Sequence, residues 1–360
     1  MAVFDEIVNI PPFSLNKEEK DKLMTKALCE LTDFHRENCH EYASMLNAVG
    51  YDLAETKHYD QLPFLAVSLF KELELRSINK EDVFKTMTSS GTTGQAVSKI
   101  FLDKETVSRQ QKTLVKIVTS FLEKPRMPML IIDCESVIKN RLMFSARGAG
   151  ILGFSIFGKD VTYALDDNMQ LNEKAVNEFL ERHNGEPIFL FGFTFMIWQH
   201  FYQRLLELPH KIDLSNAVLI HGGGWKNLIS QAVSPDEFRR RLNEICGITR
   251  IHDYYGMAEQ TGCIYMECEC GHLHASIFSD VITRRAKDFS VCDFGETGIV
   301  QVVSILAGSY PGHSLLTEDE GVILGADDCP CGRKGKYFKI HGRLKNAEIR
   351  GCSDTYAAKF

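Results

Sequence analysis

Between residues 128 and 255 the chain alternates short, almost wholly apolar runs with longer segments of helical character. The apolar runs are 128–133 (PMLIID), 188–191 and 217–220, with a further, more polar strand at 250–255 (RIHDYY); segments 175–183, 194–206 and 225–245 read as helices between them. A strand with no polar alternation is buried on both faces, which calls for a parallel sheet covered by helices. The expected class is therefore α/β, with mainly parallel sheet over the first 260 residues. Two of the runs lead into glycine: Gly222-Gly223-Gly224 after 217–220 and Gly256 after 250–255.

The flanks read differently. Residues 15–50 carry Leu23, Leu28, Leu31 and Phe34 at helical spacing, predicting one or two helices that break near Leu62-Pro63-Phe64. A strand is expected at 100–103, followed by a helix over 103–122 with Asp103 as N-cap and Val107, Leu114, Ile117 and Phe121 on its buried face. Past residue 260 helical patterns thin out, and β-like runs such as 298–306 predict a β-rich subdomain. The expected division is 1–260, an α/β domain; 261–342, the β-rich part; and 343–360, a short tail.

Composition narrows the function. A net charge of −7 argues against a general nucleic-acid binder, which needs a basic surface. No apolar run approaches the roughly 18 residues of a membrane helix, and the N-terminus lacks the features of a signal peptide. The eleven cysteines then read as reduced thiols or metal ligands, and the expected compartment is the cytoplasm.

Residues 89–94 (Ser89, Ser90, Gly91, Thr92, Thr93, Gly94) concentrate hydroxyls and glycines, with Lys99 five positions on. Glycines allow positive φ and close approach of a ligand, and successive amides with hydroxyls make a donor array suited to phosphate. The Gly-Lys-Ser/Thr of a Walker loop is absent. By composition alone a polar surface turn fits equally well.

Four segments in order resemble the signature set of the acyl-adenylate-forming superfamily: the loop 89–99; Tyr255-Gly256-Met257-Ala258-Glu259; Thr317-Glu318-Asp319; and Gly342-Arg343-Leu344-Lys345. Within it the chain is most similar to the acyl-protein synthetases of the bacterial luminescence fatty-acid reductase complex and their non-luminous relatives. The glycine triplet followed by Trp225-Lys226, the Ser-Ser-Gly-Thr form of the loop and the tail Arg350-Gly351-Cys352-Ser353 carry that likeness. Phenylacetate–CoA ligases come next.

The resemblance implies an ATP-dependent ligase that makes acyl-AMP from a carboxylic, fatty acid. Ser89, Ser90, Gly91, Thr92, Thr93, Gly94 and Lys99 would hold the ATP phosphates. Gly222, Gly223 and Gly224 would line the adenine slot, where a Cβ would collide with the base. Tyr255, followed by Gly256 and Met257, would pack on the adenine. Glu259 would bind Mg²⁺, Asp319 would accept from the ribose hydroxyls, and Arg343 would lie near ribose or phosphate. Two departures stand out. Ala258 replaces the usual Thr, and the chain stops at Phe360, so the family's large C-terminal domain with its mobile lysine is expected to be missing. Lys226 is then a candidate for the missing charge, against the plainer reading of a solvated helix-start lysine. By the same resemblance Cys352 would accept the acyl group as a thioester and deliver it to a fatty-acyl reductase partner. The other readings are a CoA ligase of the phenylacetate type and a zinc-stabilised scaffold that has lost catalysis.

Two further features come from the residues themselves. Cys268-Glu269-Cys270 and Cys329-Pro330-Cys331 are glycine-ended knuckles, and four thiolates from two such turns suit a closed structural zinc site, with His272 or His274 able to replace one sulfur. The run 189–198 is strongly apolar, and Phe191, Gly192 and Phe193 are the place to look for an acyl pocket, although an ordinary core strand reads the same way.

Overall fold

The computed structural model describes residues 2–89, 97–139 and 146–344. Its strands in chain order are β1 (Leu65–Ala66), β2 (Lys85–Thr88), β3 (Lys99–Leu102), β4 (Met127–Cys134), β5 (Gly158–Leu165), β6 (Ile188–Phe193), β7 (Ala217–Gly222) and β8 (Arg250–Tyr255). They continue with β9 (Tyr265–Glu267), β10 (Leu273–His274), β11 (Ser279–Arg284), β12 (Thr297–Ser304), β13 (Ser314–Ala326) and β14 (Lys336–Arg343). These elements fall into two compact units, one formed by 121–255 and the other by the segments before and after it. Among the described residues, 2–89 and 97–120 thus belong to the same unit as the β-rich part.

The 121–255 unit is a parallel sheet in the order β5-β4-β6-β7-β8. Every residue of β4, β6 and β7 is buried, as a sheet covered on both faces requires. Leu130, Ile132, Leu190, Leu219 and Ile251 form one core with Trp198, Phe201, Phe238 and Leu242 from the helices. The alternate residues face helix Ala146–Ser155 and the turn after it: Phe191 stacks on Phe154, with centroids 4.2 Å apart, and Phe189 meets Phe157 edge-on. The chain runs outward from β4 to β5, then returns to the other side of β4 for β6 to β8. The switch point therefore lies between β4 and β6, where open α/β sheets place ligands beyond the strand ends.

Two helices of this unit differ from expectation. The segment 194–205 is continuous, but Ile197–Tyr202 is wound as a π-helix, a feature that recurs near functional sites. The segment expected as one helix over 225–245 is a short 3₁₀ stretch, Lys226–Gln231, and then a helix Pro235–Cys246. Pro235 is the reason. Its ring disfavours helical backbone in the residue before it and presets φ at the first helical position. Ser234 caps the new start by accepting from Glu237 N at 3.2 Å, and Gly247 (φ 79°) closes the end.

In the other unit an antiparallel sheet runs β11-β12-β13-β14-β10-β9, with β1 parallel to β13. Helix Lys17–Asn38 starts from a capping box of Asn16 and Glu19 and buries Met24, Leu28 and Leu31 in a cluster with Phe278, Val303 and Ile305. A buried ionic knot ties this helix to the sheet. Asp280 lies 3.5 Å from Lys20 Nζ and 3.7 Å from Lys336 Nζ, and accepts from Tyr59 OH at 2.6 Å. Helix Lys104–Thr119 is capped by Asp103 as expected, but its buried face is Thr106, Arg109, Gln110, Thr113, Ile117 and Val118. Of the expected apolar face only Ile117 and the flanking Phe121 are buried. No helix among the described residues is long and apolar enough to cross a membrane.

Candidate functional site

Strands β2 and β3 form a hairpin whose connection carries the Gly/Ser/Thr loop; Thr88 pairs with Lys99 at its base. Of the expected phosphate-binding residues Ser90, Gly91, Thr92, Thr93 and Gly94 lie outside the described residues. Ser89 closes the base of the loop: its N–H donates to Ser98 O at 3.1 Å and its Oγ accepts from Ser98 N at 2.9 Å. Lys99 is exposed, and Ser98 beside it is fully buried.

The same unit holds Glu259, Glu318, Asp319 and Arg343. Glu259 sits in the one-turn 3₁₀ helix Ala258–Gln260 after β8 and is buried. Tyr310 OH donates to its backbone carbonyl at 2.7 Å, and Gln260 Nε2 donates to Val302 O and Gly312 O. Burial pushes the Glu259 carboxyl above the ordinary carboxylate range; Ser98 opposes that push, Glu318 adds to it, and Arg343 opposes it. Burial disfavours a bare carboxylate, and a cation placed beside it restores the charged form. Where the motif usually has Thr, Ala258 has no hydroxyl, and Thr261 Oγ1 donates to the Ala258 carbonyl at 2.9 Å.

Asp319 on β13 pairs directly with Arg343 on β14. The guanidinium stands 3.9 Å from Asp319 Oδ1 and 3.6 Å from Glu318 Oε2, so one cation is shared by two acids. Thr317 holds the strand in place: its Oγ1 donates to Val300 O at 2.7 Å and accepts from Asp319 N at 3.1 Å. The structure thus gathers Glu259, Asp319 and Arg343, expected from the sequence, with Glu318 and Ser98, which sequence reasoning passed over.

In the parallel-sheet unit the glycine triplet ends β7. Gly222 and Gly223 are required by the protein itself. A Cβ on Gly222 would stand 2.7 Å from the Tyr254 ring, and one on Gly223 (φ 88°) 2.9 Å from the Phe193 ring. Only Gly224 (φ 62°) faces open space. Tyr255 is half-buried at the end of β8 and is followed by Gly256 and Met257. Lys226 opens the short 3₁₀ stretch after the triplet; its side chain lies outside the described part.

Phe191, Gly192 and Phe193 are packed core. Phe191 is stacked on Phe154, Phe193 fits between Gly150 and Gly223, and a Cβ on Gly192 would come within 3.0 Å of Ile132 and Ile197. The glycine there serves the close approach of helix 194–205 to the sheet.

The metal cluster differs from four thiolates in one ligand. Donor atoms of Cys268, His274, Cys329 and Cys331 all lie within 4.8 Å of one another. Cys268 Sγ and Cys329 Sγ are 3.9 Å apart, and Cys331 Sγ is 3.3 Å from His274 Nε2. A tetrahedral zinc with Zn–S near 2.3 Å has edges of about 3.8 Å between sulfurs and about 3.6 Å between sulfur and nitrogen. The four residues therefore fit zinc. Cys270 is exposed, at the tip of a tight turn in which Gly271 N donates to Cys268 O. That turn and the β9–β10 pairing bring His274 inward in its place. His272 Nδ1, 3.4 Å from Cys329 Sγ, stands just outside the set.

Cys352, the expected acyl acceptor, lies outside the described residues.

The family model described as acyl-protein synthetase, LuxE, matches residues 1–360. The chain is 22% identical over 353 residues to the long-chain-fatty-acid–luciferin-component ligase of Aliivibrio fischeri, covering 95% of this chain and 88% of that protein. The ligase of the same name from Vibrio harveyi is 20% identical over 361 residues, covering 97% and 91%. The fold is similar to that of 2-hydroxyisobutyryl-CoA ligase, with TM-scores of 0.72 and 0.69 in two of its states, at 14% and 13% identity; 93% and 92% of this chain and 70% and 69% of the ligase are covered. The chain belongs to the LuxE acyl-protein synthetase family and is an acyl-activating ligase.

Proposed function

We propose that this ligase joins a long-chain fatty acid to ATP as acyl-AMP and then moves the acyl group to its own Cys352. In the first step a carboxylate oxygen attacks the α-phosphorus, the bond to the β-phosphate breaks, and pyrophosphate leaves. In the second, the Cys352 thiolate attacks the acyl carbon and AMP departs with the bonding electrons. The thioester keeps the acyl group activated for a reductase, which is the partner this reading requires.

The observation that carries the reading is the grouping of Glu259, Asp319 and Arg343 in the unit that also holds the base of the Gly/Ser/Thr loop. Asp319 accepts from the ribose hydroxyls, and Arg343 balances its charge and that of Glu318. Glu259 holds Mg²⁺, which when bound neutralises triphosphate charge. Ser89, Ser90, Gly91, Thr92, Thr93, Gly94 and Lys99 cradle the phosphates; Gly222, Gly223, Gly224, Tyr255, Gly256 and Met257 form the adenine side; Lys226 supplies positive charge to the transition state. Zinc at Cys268, His274, Cys329 and Cys331 is structural, because all four positions of a closed site are protein ligands.

The test is carboxylate-dependent ATP–pyrophosphate exchange with a panel of fatty acids, followed by intact-protein mass. Cys352→Ser is expected to keep exchange at the wild-type rate and to lose all acyl retention on the protein. Efficient CoA thioester formation by that variant would assign the chain to the CoA ligases instead. Glu259→Gln keeps the shape and removes the charge, so exchange is expected to fall about 100-fold, the scale of losing one preorganised electrostatic partner. An unchanged rate at saturating Mg²⁺ would remove Glu259 from the metal site.

A further inference from the structure

At the C-terminal ends of β6 and β7 three polar groups meet: the Thr194 hydroxyl, the His221 ring and the Gly222 carbonyl. Thr194, the first residue after β6, and His221, the residue before Gly222, are both buried. Thr194 Oγ1 is 3.0 Å from His221 Nδ1 and 3.2 Å from the Gly222 carbonyl oxygen. Asp253 Oδ1, on β8, lies 3.6 Å from the same ring nitrogen, and the Phe238 ring packs 4.9 Å from the imidazole.

The proton count gives the group a direction. The Gly222 oxygen only accepts, and Thr194 has one O–H to give. Giving it to Gly222 leaves the Thr194 oxygen free to accept from His221 Nδ1–H. Burial pushes the His221 pKa down to about 3, so the ring is neutral and carries a single N–H at neutral pH. Asp253 favours that proton on Nδ1. The result is a one-way chain, His221 Nδ1–H to Thr194 Oγ–H to Gly222 C=O, tying β6 to β7 where the glycine turn begins. From the other side the turn is held by the Tyr254 ring under Gly222 and the Phe193 ring under Gly223.

We infer that Thr194 and His221 are positioning residues for the nucleotide: their hydrogen-bond chain holds the backbone of Gly222, Gly223 and Gly224 in the shape that receives the base. This rests on the adenine-side role proposed above for the glycine triplet. Neither residue touches the reacting atoms. Their effect is on the fit of ATP, through a turn with two residues at positive φ and no side chains of its own to hold it.

The test is equilibrium binding of ATP to the full-length protein, measured together with thermal melting. Thr194→Val keeps the shape and removes both hydrogen bonds, and ATP is expected to bind at least about tenfold more weakly. Thr194→Ser restores the hydroxyl and is expected to bind within about twofold of wild type. His221→Phe should match Thr194→Val, and the double variant should be no weaker than either single one, because both break one chain. An unchanged ATP dissociation constant in Thr194→Val overturns the inference, as does an equal loss in Thr194→Ser. So does a fall in melting temperature or active fraction with affinity unaltered, since that is what a merely structural role moves. The wild-type exchange rate tests adenylation separately. Wild type that binds ATP without exchange sinks the adenylation reading alone, and wild type that binds no ATP overturns both.

Discussion

His274→Ala is expected to lose stoichiometric zinc and to unfold at a much lower temperature, whereas Cys270→Ser keeps both the metal and the wild-type midpoint. The contrast comes from the geometry. His274 Nε2 belongs to the set of four donor atoms within 4.8 Å, and Cys270 is exposed outside it. The cluster links the β9–β10 hairpin to the turn between β13 and β14, and has little apolar core of its own beyond Tyr337 and Leu324. Metal bound there would therefore act as folding free energy. Structural zinc in small domains is worth about 10–16 kcal/mol in apparent binding energy, so even a fraction of that exceeds the effect of an ordinary point substitution. Metal analysis by mass spectrometry, paired with melting in the presence and absence of a chelator, reads the outcome. Zinc retained by His274→Ala but lost by Cys270→Ser would restore the four-thiolate set that the Cys-x-Cys spacing suggests.

Acid is expected to destabilise the protein well before its carboxylates protonate. His35, His221 and His313 are buried and held neutral. Burial pushes the pKa of His35 and His221 down to about 3, and that of His313 well below its ordinary value. His35 is committed to Ala307 O and Ser77 Oγ, and His313 to Thr32 Oγ1, in a stacked pair 5.0 Å apart. Neither has room for a second charge. For each, the folded-state pKa lies below the unfolded one. Stability is therefore complete above pH 6.5 and falls as the unfolded chain takes up protons that the folded chain refuses. Each group costs about 1.4 kcal/mol per pH unit in that range, so three remove about 4 kcal/mol by pH 5.5, a large share of a typical 5–15 kcal/mol.

On the alkaline side His58 works in reverse. Hydrogen bonds with Asp21 and Asp60 raise its pKa to about 9, so its contribution is full below pH 6.5 and is lost as pH rises through 9. Asp21, lowered to about 2 by His58 and Lys17 against its own burial, contributes above pH 3.8 and fails only as pH falls through 2. Urea midpoints at pH 5.5, 7.5 and 9.5 test both limbs. A midpoint at pH 5.5 equal to that at pH 7.5 would mean that the buried histidines titrate normally.

The features legible in the sequence were those set by local chemistry. The apolar runs at β4, β6 and β7 read as strands buried on both faces, and Asp103 as the start of a helix. The order of the loop 89–99, Tyr255 to Glu259, Asp319 and Arg343 pointed to the chemistry because each is a short contiguous motif. What the sequence left undecided depends on partners far along the chain. The buried face of helix Lys104–Thr119 is largely polar, so apolar periodicity pointed to the wrong stripe. Phe191 and Gly192 read equally as an acyl pocket or an ordinary core strand, and their packing on Phe154 and Ile197 was visible only in the fold. That Gly222 and Gly223 are also required by the Tyr254 and Phe193 rings beside them was visible only in the fold.

The sequence by itself determined which elements form and which chemical groups the chain carries, because strand burial, capping and motif order act over a few residues. Only the tertiary structure decided which groups meet: Arg343 with both Glu318 and Asp319, His274 in place of Cys270, Thr194 with His221. The physical reason is that a hydrogen bond or a metal edge is settled within a few tenths of an ångström. No spacing along a chain specifies a distance that fine between residues that strand pairing and turns bring together.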